Sequence, residues 1–158
     1  MSVNRGLFTS TSGEWSTPQE FYDVLDQEFH FTLDPCATAE NAKCPKFYTL
    51  EGADGLWQSW AGERVFCNPP YGRKIWRWIE KAHAEAEAGA LVVCLIPSRT
   101  DTRWWHDHCM KASEIRFVKG RLCFGDGTKR APFPSAVVVF RPALIKLSRP
   151  PTFAVPGR

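Results

Sequence analysis

No stretch of this 158-residue chain approaches the ~18 consecutive apolar residues that a membrane-spanning helix needs, so none is expected. Met1 to Gly13 is polar and has no apolar core of a secretory leader, so a soluble, cytoplasmic protein is expected. There is no Cys-x-x-Cys pair, which argues against a structural zinc site. The six cysteines, at 36, 44, 67, 94, 109 and 123, are scattered and several lie in apolar stretches; they read as buried free thiols, not as a disulfide framework. Internal repeats and low-complexity tracts are missing. Glycine is missing between Asp34 and Asn41, which excludes a G-x-G backbone cradle there. What is present is ordinary for a folded domain: 44% apolar and 23% charged residues, too apolar for general disorder. The length fits one domain. The expected organisation is a loose arm over 1–15, a folded domain over 16–148 and a proline-rich tail over 149–158.

Charge is scarce overall, at net +3, but unevenly placed. Residues 1–63 carry 3 basic and 10 acidic side chains, and residues 64–158 carry 17 basic and 7 acidic ones. Such polarity predicts a basic face built by the later part of the chain and suited to a polyanion.

Local signals place helices and strands alternately. Ser16-Thr17-Pro18-Gln19-Glu20 reads as a helix start, with Thr17 as N-cap, Pro18 in the first helical position and Glu20 completing a capping box. Phe31 to Asp34 reads as a short strand broken at Pro35, residues 35–63 as irregular, and Arg64 to Cys67 as a second strand. Ile75, Trp78, Ile79, Ala82 and Ala86 predict a helix that stops at Gly89. The run from Ala90 to Ile96 predicts a central strand covered on both faces. A short helix over 102–110 and strands over 115–118 and 136–140 follow. The fold class is therefore α/β, a doubly wound and mostly parallel sheet, in which ligands sit outside the carboxyl ends of strands.

Asn68-Pro69-Pro70-Tyr71 begins where the second strand ends. Consecutive prolines make the corner rigid and bar it from a ladder or a helix interior. Asn68 brings a side-chain carbonyl, the backbone of 68 and 69 brings two more, and Tyr71 brings a flat ring. Acceptors beside a stacking platform suit a planar group that bears an NH₂. Accepting its hydrogens makes the nitrogen more tetrahedral and frees a lone pair that is otherwise delocalised into the ring.

This corner resembles the signature of S-adenosylmethionine-dependent amino-group methyltransferases, an Asp, Asn or Ser followed by Pro-Pro and then Tyr or Phe. More fully, the chain resembles the phage-type DNA N6-adenine methyltransferase family. The resemblance is carried by Ser16 to Phe21, Leu33-Asp34-Pro35-Cys36-Ala37, Phe66 to Gly72, Leu95 to Thr102, and Pro132-Phe133-Pro134-Ser135-Ala136, and spans about residues 14–142. It implies a compact Rossmann-like methyltransferase domain, S-adenosylmethionine as methyl donor, and direct methyl transfer to adenine N6 of double-stranded DNA, with the base flipped out of the stack and laid against Tyr71. It further implies Asp34 as partner of the donor's amino group, Thr17, Pro18, Cys36 and Ala37 as donor-pocket wall, and Asp54 at the donor's ribose or adenine end. A phage origin and protection against host restriction belong to the same resemblance.

Arg73, Lys74, Arg99, Arg103, Lys129 and Arg130 cluster around the candidate loops and are the expected DNA contacts. No metal is expected: His106 and His108, two residues apart on a helix, do not share a face. Two alternatives stay open on the residues alone. One is a methyltransferase for another planar amine, namely cytosine N4, an RNA base or a glutamine amide. The other is a DNA-binding module without catalysis. The recognition sequence and oligomeric state are not encoded in any residue singled out above.

Overall fold

In the computed structural model, which describes residues 15–143 and 152–154, the elements follow in this order. Helix α1 is Gln19–Phe29, followed by strands β1 (Leu33–Asp34), β2 (Lys46–Phe47) and β3 (Arg64–Cys67). Then come α2 (Ile75–Glu87), β4 (Leu91–Pro97), α3 (Arg103–Asp107) and β5 (Glu114–Phe117). Strands β6 (Cys123–Phe124), β7 (Lys129–Arg130), β8 (Ser135–Phe140) and β9 (Thr152–Ala154) complete the chain. Short 3₁₀ turns cover Gly55–Trp57 and Cys109–Lys111.

Seven strands form one sheet in the order β2-β1-β3-β4-β8-β5-β9, with β6 and β7 in a separate hairpin. Neighbours pair in parallel except on both sides of β8, which alone is opposed. The continuous apolar run becomes β4, at the centre. Its Val92, Cys94 and Ile96 join one core with α2, and its Val93 and Leu95 join another with α1. The stripe read from the sequence, Ile75, Trp78, Ile79, Ala82 and Ala86, is the buried face of α2. The sheet is thus covered on both faces, a doubly wound α/β fold. Gly89, which follows α2, has φ of 111°, a conformation L side chains rarely adopt.

Several local expectations change. Helix α1 opens one residue later than read, with Pro18 as its N-cap and no side-chain cap. Thr17 does not cap it, because its hydroxyl accepts from Asn68 Nδ2 at 3.1 Å instead. Residues 35–63 hold β2 and a 3₁₀ turn, and the segment before β8 holds the β6–β7 hairpin. Two-residue strands are too short to carry a periodic signal. The expected helix over 102–110 divides into α3 and a 3₁₀ turn. Residues 1–14 of the expected arm and most of the proline-rich tail lie outside the described residues. Thr152–Ala154 of that tail pairs in parallel with β5.

Candidate active site

The chain leaves β1 toward β2 on one side, and leaves β3 through α2 toward β4 on the other. The carboxyl ends of β1 and β3 therefore flank a switch point, where open α/β sheets form their ligand crevices. Asp34 ends β1 and Asn68 directly follows β3.

Asp34 is 6% exposed. Its Oδ2 accepts from the Lys43 backbone N–H at 3.0 Å and its Oδ1 from that of Cys36 at 3.4 Å. Burial outweighs these donors and pushes the carboxyl up to about 6. The Lys43 ammonium donates to Gln19 Oε1 at 2.9 Å. Asp34 is therefore a buried carboxylate held by backbone donors, beside a cavity.

The corner after β3 is cross-braced. Asn68 Nδ2 donates to the Trp15 carbonyl at 2.7 Å and to the Thr17 hydroxyl at 3.1 Å. With the amide nitrogen engaged on that side, Oδ1 faces the other way and accepts from the Tyr71 hydroxyl at 2.7 Å. The same hydroxyl lies 3.1 Å from the Leu95 carbonyl. Burial raises the Tyr71 phenol well above its usual range, so it is a neutral donor. Cys36, raised in the same way by burial, donates its thiol to the Asn68 carbonyl at 3.2 Å. Around Tyr71 lie the rings of Trp15, Phe124 and Phe133, with centroids 5.4–6.2 Å away.

Thr17, Asp34, Cys36, Ala37, Asn68, Pro69, Pro70 and Tyr71 all line a single cavity of about 660 Å³. That volume is typical of a small-molecule site. Two expected pocket residues do not line it. Pro18 caps α1, and Asp54 accepts from Leu56 N at 3.0 Å to cap the Gly55–Trp57 turn. Walls that the sequence reading did not assign to the site include Trp15, Asn41, Lys43 and Phe66. Phe66 carried a signal, as the inward residue of a short strand; Trp15 carried none.

Arg73, Lys74, Arg99, Arg103, Lys129 and Arg130 are exposed and lie outside the cavity lining. Arg103 pairs with Asp107 at 3.3 Å. The two histidines weighed as ligands turn to different partners, His106 to the Thr100 carbonyl at 2.7 Å and His108 to His83 at 2.9 Å.

With this geometry in place, likeness to other proteins becomes informative. The fold resembles that of a protein from Listeria monocytogenes assigned to the class I S-adenosylmethionine-dependent methyltransferases, with a TM-score of 0.60. The alignment covers 91% of this chain and 67% of that one at 10% identity, so the likeness is one of fold. The chain belongs to the DNA N-6-adenine-methyltransferase (Dam) family, whose sequence profile matches residues 7–150. A DNA N-6-adenine-methyltransferase of Escherichia phage T1 is 32% identical over 111 residues. That match takes in 68% of this chain, which spans only 45% of the phage protein's length.

Proposed function

We propose that the protein methylates adenine N6 in double-stranded DNA, with S-adenosylmethionine as methyl donor. The observation that carries this reading is the one cavity running from the Asp34 carboxylate to the Asn68–Tyr71 corner. A buried carboxylate with a raised pKa favours a cationic partner, and the donor's ammonium is one. The residues present thus fit the donor: Asp34 holds its amino group, and Thr17, Cys36 and Ala37 form the wall. Bound S-adenosylmethionine supplies a methyl group on a sulfonium leaving group.

The chain's own part is alignment and electrostatics. Trp15 and Thr17 fix the Asn68 carboxamide, so its oxygen is directed at the acceptor site. Asn68 Oδ1 and the Pro69 carbonyl accept the two hydrogens of the amine. The nitrogen lone pair then forms the new C–N bond as the C–S bond breaks, and the surplus proton leaves to water. Tyr71 supports the base with its ring and polarises Asn68 with its hydroxyl. A base in duplex DNA reaches this corner only when flipped out of the stack. The relative from phage T1 and the basic residues of the later chain favour DNA over a protein acceptor. A cytoplasmic, phage-encoded role follows from the same kinship.

Expression in a bacterium that lacks adenine methylation, followed by sequencing of modified bases, tests the reading. N6-methyladenine in a short recurrent sequence is expected. Soluble protein that leaves the DNA unmodified would refute it. Asn68→Ala and Tyr71→Ala are each expected to lose transfer while retaining donor binding.

A further inference from the structure

Cys36 belongs to the loop after β1, yet it touches both halves of the site. Its backbone N–H donates to Asp34 Oδ1 at 3.4 Å, on the side that suits the methyl donor. Its thiol reaches the segment after β3 and donates to the Asn68 main-chain carbonyl at 3.2 Å. The side chain is half-buried and lines the cavity together with Asn68, Pro69 and Pro70. A thiol has one hydrogen. With that of Cys36 directed at Asn68, the Cys67 thiol is the donor in the 3.8 Å contact between the two sulfurs. Burial raises both thiols above their usual range, so both stay protonated and both stay donors.

The carbonyl that Cys36 holds is a consequential one. The Asn68 carboxamide is fixed by other partners: its nitrogen meets Trp15 and Thr17, and its oxygen meets Tyr71. Those contacts do not touch the peptide that joins Asn68 to Pro69, and the Cys36 thiol does. Proline fixes its own φ at about −65°. A following proline, here Pro70, restricts the ψ of Pro69 as well. Once the plane of the Asn68–Pro69 peptide is set, the direction of the Pro69 carbonyl is nearly set with it.

We infer that Cys36 is a positioning residue for methyl transfer: its thiol holds the Asn68–Pro69 peptide so that the Pro69 carbonyl meets the second hydrogen of the acceptor amine. This role rests on the function proposed above and adds to it. The work at the corner is then divided. Trp15, Thr17 and Tyr71 aim the Asn68 side-chain oxygen, and Cys36 aims the main-chain carbonyl beside it. Two contributions of Cys36 also come apart. As wall of the donor pocket it acts on donor affinity, whereas as brace of the corner it acts on the transfer step with donor saturating.

The test uses the full chain and a duplex containing the site mapped by the sequencing experiment. Cys36→Ala removes the hydrogen-bond donor, and Cys36→Ser restores one in nearly the same space. Binding of S-adenosylhomocysteine shows that each variant is folded. At saturating S-adenosylmethionine and duplex, single-turnover methylation is expected to fall about three- to tenfold in Cys36→Ala, the worth of one hydrogen bond, and to stay within about twofold of wild type in Cys36→Ser. A Cys36→Ala enzyme with a raised KM for S-adenosylmethionine and a wild-type transfer rate would make Cys36 a wall only, and overturns the inference. A Cys36→Ser enzyme as slow as Cys36→Ala also overturns it, because the site would then need the sulfur's bulk and not a donor. A further check needs no turnover. In the infrared difference between wild type and Cys36→Ser, the lost S–H stretching band is expected at the low-frequency, hydrogen-bonded end of the cysteine range. A band at the free-thiol position overturns the brace even where Cys36→Ala fails to fold. In each of these outcomes wild-type methylation is intact and the function stands. A wild-type protein that methylates nothing instead refutes the function, and the role of Cys36 with it.

Discussion

Asp34 is nearly sealed from water, yet the backbone N–H groups of Cys36 and Lys43 point at it, which sets two opposite pH dependences. Its carboxyl is raised to about 6 by burial. Above that pH the folded protein carries a buried charge that the unfolded chain would hydrate, a cost that shrinks as pH falls through 6 toward the ordinary aspartate range. Donor binding as proposed runs the other way, since an ammonium held by Asp34 needs the ionised carboxylate. Affinity for S-adenosylhomocysteine, read by calorimetric titration, is expected to be full above about pH 6 and to fall up to about tenfold per pH unit below it. Asp34→Asn is expected to lose at least about tenfold at pH 7.5 and to flatten the profile, one pK unit being a factor of ten. A wild-type profile already flat from pH 5 to 8 would remove Asp34 from the donor site. Gly55 is a second residue whose role is set by space. A Cβ there would lie 2.0 Å from the Pro35 carbonyl oxygen, just past Asp34. Gly55 thus lets the 3₁₀ turn pack directly against the backbone of the loop that follows β1. Gly55→Ala is expected to cost about 1–3 kcal/mol or more, read as a lowered urea midpoint. An unchanged midpoint would mean that the loop yields freely.

At the scale of elements, legibility followed length and periodicity. Helix α2 could be read residue by residue because five apolar positions recur at helical spacing over a dozen residues. Strand β4 could be read because both its faces are buried and its side chains are all apolar. Ile79, fully buried on α2 beneath that strand, is the natural test of this packing. Ile79→Ala is expected to destabilise by about 2–5 kcal/mol, seen as a drop in urea midpoint at constant slope. A loss under 1 kcal/mol would mean that the core refills the cavity, against close packing of the two layers. The short strands β2, β6 and β7 had no such signature, and neither did the diversion of Thr17 from helix cap to Asn68 partner. The corner at 68–71 was legible as a rigid turn at a strand end because proline fixes its backbone. What holds it, the carbonyl of Trp15, was not, since a backbone acceptor 53 residues away leaves no mark in composition or spacing.

Across the whole molecule, the sheet order turns a charge asymmetry in sequence into one in space. The early, acidic part of the chain supplies α1 and the β2-β1 edge, and the later, basic part supplies the sheet from β3 onward together with its loops. Three groups of exposed cations belong to segments next to the Asn68–Tyr71 corner. Arg73 and Lys74 follow it directly, Arg99 and Arg103 follow the end of β4, and Lys129 and Arg130 sit on the hairpin whose Phe124 packs on Trp15. Such an arrangement predicts that duplex binding is driven largely by counterion release, with log K falling linearly in log salt. Each cation that neutralises one phosphate contributes about 0.9 to that slope in duplex DNA. Lys74→Ala and Arg99→Ala should therefore each flatten the slope by about 0.9, and together by about 1.8, because they lie on separate loops. Donor affinity should be unchanged, since neither residue lines the cavity. Fluorescence anisotropy of a labelled duplex between 50 and 300 mM salt measures the slope directly. If both variants kept the wild-type slope, the basic loops would face solvent in the complex, and the duplex would approach the Asn68–Tyr71 corner from another side of the molecule.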